Sequence, residues 1–158
     1  MSQHDKVVDD PVLQWVTYQL EEETYGINVM QVQEVLRITE IAPVPGAPVY
    51  VLGIINLRGN VVTVIDTRSR FGLPLHNSDD NSRIIIVEAN GSVIGMLVDS
   101  VAEVVYLHQS EINIAPNVNS DDSSRFIQGV SSREEQLLIL VDVDKLLSEE
   151  EISDLVRV

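Results

Sequence analysis

The chain has 158 residues, 25 acidic against 10 basic side chains, a formal charge of −15 and no cysteine. A surface this acidic repels phosphate backbones and anionic lipid, which select clustered Lys and Arg. The missing cysteine removes disulfides, thiolate nucleophiles and Cys-based zinc sites. Nucleic acid and direct membrane insertion are therefore set aside. Residues 1–14 begin without a basic cap and apolar run, so they read as a flexible lead-in and the chain as cytoplasmic.

Hydrophobic content is 44% with only 4% aromatics, so the apolar mass is Val, Ile and Leu, the set that suits packed strands. Trp15 to Leu20 alternates, stops at Glu21-Glu22-Glu23 and resumes at Thr24 to Ile27, which predicts a first hairpin. Asn28 is a capping residue, and Val29, Val32, Val35 and Leu36 share one face at helical spacing, predicting a short amphipathic helix over Val29 to Leu36. Three prolines around Gly46 make Ala42 to Pro48 a loop. Leu52 to Asp66 predicts two strands about Arg58-Gly59-Asn60, with Gly59 and Asn60 taking positive φ. Asp66 to Phe71 reads as a helical turn ended by Gly72, and Leu73 to Ser82 as a solvated loop. Arg83 to Glu88 and Ser92 to Val98 form a hairpin across Asn90-Gly91, Val130 to Val141 forms another, and Ser148 opens a C-terminal helix.

The segments repeat. Gly53 lies thirteen positions before Asp66, as Gly129 does before Asp142, and the apolar runs before the two aspartates match. Upstream, Gly26 leading to Val32, Glu34 and Val35 lines up with Gly95 leading to Val101, Glu103 and Val104. Each half reads hairpin, short helix or bend, hairpin, short helix, with the boundary near residues 72–82. Halves of this size bury little alone, so a shared core along their seam is expected.

No phosphate-cradling loop is present, and His4, His76 and His108 have no spacing that converges on a metal or activates a serine. No catalytic residue, metal or cofactor is expected. What remains is surface. Glu34 and Arg58, the latter at a hairpin tip beside Asn56, are charges embedded in apolar segments, open to reading as a local ion pair or as a binding site. A small-ligand-binding β-barrel is the competing class.

Glu23-Thr24-Tyr25-Gly26-Ile27, Val32-Gln33-Glu34-Val35, Gly53 to Gly59, Val64-Ile65-Asp66 and Leu138 to Asp142 together resemble the CheW family of bacterial chemotaxis coupling proteins, over about Trp15 to Leu155. The resemblance implies two pseudo-symmetric five-stranded SH3-like β-barrels sharing a core, with residues 15–158 as one domain. It further implies a non-enzymatic adaptor joining the cytoplasmic hairpin tip of chemoreceptors to the regulatory domain of the CheA histidine kinase. A pilus or surface-motility pathway could use the same role. Glu34, Val35, Asn56, Arg58 and Val104 are the implied receptor- and kinase-binding residues, with Gly53, Gly95 and Gly129 as structural glycines at or near the groove.

Overall fold

The computed structural model describes residues 9–74, 77–114, 126–133, 135–147 and 151. Their short β-branched runs fold as ten strands: β1 (Val12–Leu20), β2 (Glu23–Asn28), β3 (Val32–Arg37), β4 (Val51–Leu57), β5 (Asn60–Asp66), β6 (Arg83–Ala89), β7 (Ser92–Val98), β8 (Ser100–His108), β9 (Ile127–Arg133) and β10 (Gln136–Val141). One four-residue helix, α1 (Thr67–Arg70), follows β5. The C-terminal helix expected from Ser148 lies outside the described residues except for Glu151.

Two five-stranded sheets result, the first ordered β8-β1-β2-β10-β9 and the second β3-β6-β7-β5-β4. Neither sheet belongs to one half of the sequence. The hairpin β1–β2 takes β8, β9 and β10 from the later half, and β6–β7 takes β3, β4 and β5 from the earlier one. The exchange is mediated by two antiparallel pairs, β1 with β8 and β3 with β6, and by two parallel pairs, β2 with β10 and β5 with β7, which hairpins cannot make. Renaming β1–β5 as β6–β10 converts the first sheet's strand order into the second's, so the sequence repeat is a spatial pseudo-twofold. Each sheet closes back towards itself through an isolated bridge, Ala42 with Ile54 and Asn113 with Val130.

Strand alternation divides the core into three. Ile84 and Ile86 face a private core of the second sheet with Ile55, Val62 and Val64. Ile85 and Val87 face the opposite way, into a shared core with Tyr18, Leu20, Tyr25, Ile27, Ile65 and Met96. Because both faces of β6 are covered, Ile84 to Val87 is an unbroken aliphatic run with every residue fully buried. The first sheet has its own core of Trp15, Val105, Leu107, Leu138 and Leu140. Tyr18, Tyr25, Phe71 and Phe126 pack in succession along the shared core, their ring centroids 5.5, 5.1 and 4.4 Å apart, the outer two pairs stacked and Tyr25–Phe71 edge-to-face.

The hairpin turns follow local chemistry. Asn90 and Gly91 take φ of 51° and 81°, as their types require. The β4–β5 turn is shifted by one residue from expectation, with Arg58 and Gly59 at positive φ (51° and 89°) and Asn60 already paired with Leu57. Asn56 secures it by accepting the Gly59 N–H at 2.8 Å. Asp66 caps α1 through the Arg68 N–H at 3.1 Å, and Asp142 caps its counterpart turn Val143–Lys145 through the Asp144 N–H at 3.0 Å.

Two expectations are overturned. Val29 to Leu36 is one 3-10 turn (Val29–Gln31) followed by β3, not an amphipathic helix. Its three-residue apolar spacing comes from a β-bulge: Val32 pairs with Val87 and Val35 with Ile85, so the extra residue puts both valines on one face. The same bulge in β8 aligns Val101 and Val104, which hid that strand as a bend. Residues 12–14 belong to β1 rather than to a flexible lead-in, and Asp10 is tied down by the Ser110 N–H and hydroxyl, both at 2.9 Å. Those bonds hold the Asp10 carboxyl below its ordinary pKa.

Polar clamps join the halves beside the shared core. Arg68, 9% exposed, sends Nε and Nη2 to Asp99 at 2.7 and 2.5 Å and Nη1 to Glu21 at 2.5 Å. Bonding to Asp99, then to Glu21, raises its pKa further, so it is charged at every accessible pH. At the pseudo-equivalent place, Asp144 accepts the Asn90 N–H at 2.9 Å. Arg68→Ala would strand two carboxylates over the seam and is expected to cost about 1–3 kcal/mol, the partial exposure of Glu21 limiting the loss. Urea denaturation measures this. Gly53→Ala places a Cβ 2.1 Å from the Ala42 carbonyl oxygen, whereas Gly129→Ala meets Asn113 O and Ile112 Cγ2 at 2.9 Å. Gly53→Ala is therefore expected to lose about 3 kcal/mol and Gly129→Ala less, by the same measurement.

Candidate functional site

The bulge in β3 sends neighbouring side chains to opposite faces. Glu34 stands opposite Ile86 on the face of the second sheet's private core, while Val35 stands opposite Ile85 on the shared-core face. β3 and β4 are the two ends of that sheet's strand order. The Arg58 guanidinium, on the β4–β5 turn, spans the remaining gap to the Glu34 carboxylate in a two-pronged contact, Nη1 to Oε1 at 3.2 Å and a shorter Nη2–Oε2 pair. The open reading of these two charges thus resolves as an ion pair, a clasp across the mouth of the sheet. Hydrogen bonding from Arg58 lowers the Glu34 pKa, and Glu34 raises that of Arg58. Arg58 remains 70% and Glu34 28% exposed, so the clasp still presents its outer edge.

The other expected residues separate into groups. Asn56 holds the turn under Arg58 rather than pointing at a partner on its own account. Val104 lies on β8 of the first sheet, opposite Val16, at the position that Val35 occupies in the second. Both valines are exposed, at 43% and 40%, on the outermost strands. The three glycines face away from the shared core. Gly95 packs against Ile84 and Val64, and Gly53 and Gly129 are crossed by the closing segments at Ala42 and Asn113. They shape the individual sheets.

Sequence reasoning missed Tyr106, two residues beyond Val104 on β8 and 62% exposed. Its signal was the strand alternation of Val104, Val105, Tyr106 and Leu107, which the bulge upstream obscured. No group of acidic, histidine or cysteine residues among those described is placed to hold a metal ion. Among the described residues no helix is long and apolar enough to cross a membrane.

Because the clasp is largely solvent-exposed, Arg58→Ala and Glu34→Gln should each move the Tm by no more than about 2 °C. Acid should release the clasp only below the ordinary carboxylate range. The lowered Glu34 pKa means its contribution is present above the unfolded value and lost as pH falls through the folded one. An NMR titration of the Glu34 carboxyl in wild type and Arg58→Ala checks this, with the pKa expected to rise in the variant.

A model of the CheW-like domain matches residues 14–151. The chemotaxis protein CheW of Treponema pallidum (strain Nichols) is 34% identical over 152 residues, covering 94% of this chain and 89% of the relative. That of Bacillus subtilis (strain 168) is 34% identical over 135 residues, covering 85% and 86%. The crystal structure of the scaffolding protein TtCheW from Thermoanaerobacter tengcongensis superposes with a TM-score of 0.81 at 33% identity, over 89% of this chain and 96% of that one. The two-sheet fold is thus that of a solved scaffold, and the chain belongs to the CheW-like family as a non-enzymatic coupling protein of chemotaxis signalling.

Proposed function

We propose that this protein couples chemoreceptors to the CheA histidine kinase, with the receptor's cytoplasmic hairpin tip docking where the shared core reaches the surface. The observation that carries this reading is the placement of Val35 and Val104. They hold pseudo-equivalent positions on the outermost strands of the two sheets, each half-exposed on a face that builds the shared core. An apolar surface continuous with a rigid core is a suitable seat for an amphipathic helical hairpin, because little order is lost on docking. Beside Val35, the Glu34–Arg58 clasp offers a fixed charged edge that sets orientation, and Asn56 keeps its turn in place. Electrostatic complementarity of this kind contributes more to specificity and on-rate than to raw affinity.

On this reading residues 15–158 act as a single unit at the cytoplasmic face of receptor arrays. Gly53, Gly95 and Gly129 support it indirectly, by preserving the sheets that carry the valines. A pathway for surface motility would use the same surfaces with another receptor and kinase.

Co-sedimentation with receptor-containing membranes and kinase tests the proposal. The wild-type chain is expected to bring the kinase down with the membranes, and its failure to do so at micromolar concentrations overturns the reading. Val35→Asp and Val104→Asp are each expected to weaken receptor retention by at least about tenfold, and Arg58→Ala by a similar factor. Circular dichroism should show all three variants folded.

A further inference from the structure

The pseudo-twofold allows each side chain of one sheet to be compared with its counterpart in the other. At the mouth of the second sheet, Glu34 is met by Arg58 and the neighbouring space is filled by Ile86, which is fully buried. The matching residues of the first sheet are Glu103 and Thr17, and the sequence repeat aligns Arg58 with Glu134, which lies outside the described residues. By the sequence repeat alone, the position that is Arg58 in one half is a glutamate in the other. The isoleucine is replaced by a smaller, polar threonine. Among the described residues the Glu103 carboxylate has no hydrogen-bond or ion-pair partner, although its backbone carbonyl accepts the Thr17 hydroxyl at 2.6 Å.

A cleft of about 210 Å³ lies beside Glu103 and Thr17. Thr17, Thr24, Glu103 and Gln136 contribute its polar wall, and Val105 and Leu138, members of the first sheet's private core, contribute an apolar floor. A metabolite site commonly needs roughly 300–1,000 Å³; a single long side chain needs less. The combination of one unpaired carboxylate, amide and hydroxyl acceptors, and an apolar floor fits a guanidinium with its aliphatic stem better than an ammonium, since the planar fork bonds the carboxylate twice while its faces pack on carbon.

We infer that the mouth of the first sheet is a receptor for one arginine side chain carried on a basic loop of a partner protein, which completes in trans the clasp that Arg58 makes in cis. A second copy of this chain is a poor donor, because two molecules of net charge −15 repel. The inference does not depend on the receptor- and kinase-coupling reading above, since it rests on the comparison between the two sheets.

The test is an NMR titration of the isotopically labelled full chain with N-acetyl-arginine amide, with N-acetyl-lysine amide and N-acetyl-citrulline amide as parallel probes. Saturable shifts are expected at the amides of Thr17, Thr24, Glu103 and Gln136, with a Kd in the range of about 1–50 mM for so small a probe. Glu103→Gln should weaken that response at least about fivefold, and the lysine and citrulline probes should be weaker by a similar factor. Thr17→Ile, which imitates the filled mouth of the other sheet, should abolish it. If Thr17→Ile does not fold, the Glu103→Gln arm decides alone. Arg133→Ala should leave the affinity unchanged. A tenfold gain there would show that this chain supplies the cation itself and would overturn the proposal. Absence of saturation, or an unaltered response in Glu103→Gln, would overturn it equally.

Discussion

Parallel pairing of β2 with β10 and of β5 with β7 is the constraint on which the remaining structure depends. A parallel neighbour cannot be reached by a tight turn, so each sheet must wait for strands from the distant half of the chain. The exchange leaves the inner strands of both sheets covered on two faces, one by a private core and one by the shared core. Tyr18, Ile27, Ile65, Ile85 and Met96 meet there from both sheets. Halves of this size could not each bury a comparable core alone. The shared core therefore makes a rigid body out of two units that would be marginal apart.

Rigidity at the centre determines what the periphery can do. The outermost strands β3 and β8 are held by a neighbour on one side, and each carries a bulge that turns the next valine onto the shared-core face. Function in a scaffold comes from presenting surfaces at fixed mutual positions, and a bulge repeated by pseudo-symmetry does so without any moving part. The two mouths differ over the same frame: in one Glu34 meets an arginine beside an isoleucine, and in the other, among the described residues, Glu103 borders a cleft beside a threonine.

Electrostatics follows the same division. The stretch from Arg37 to Arg70 is locally basic within an acidic chain, which by itself suggests a cationic docking strip. In the fold, Arg58 closes a sheet mouth, Arg68 is buried between Asp99 and Glu21, and Arg70 bonds the Leu146 carbonyl and Glu151 while lying over the Tyr50 ring at 4.8 Å. Three of its four arginines are thus bonded to other groups of the same molecule. The acidic excess remains on the surface, where it favours solubility and basic partners.

The hairpins at Asn90-Gly91 and Arg58-Gly59, the capped turn at Asp66 and the β-rich class were legible in the sequence, because turn preferences and strand alternation act over a few residues. The internal repeat was legible for the same reason, as was the family resemblance built on its motifs. The bulges were not, since an inserted residue converts period two into a three-residue spacing that imitates a helix; β3 and β8 were therefore misread. Whether Glu34 and Arg58 meet each other or a partner was also undecidable from residues 24 positions apart. By itself the sequence determined the local grammar, the repeat and the absence of a recognisable catalytic constellation. Only the tertiary structure decided which half completes which sheet and which charges meet within the molecule, because those outcomes depend on contacts between residues that local preference cannot bring together.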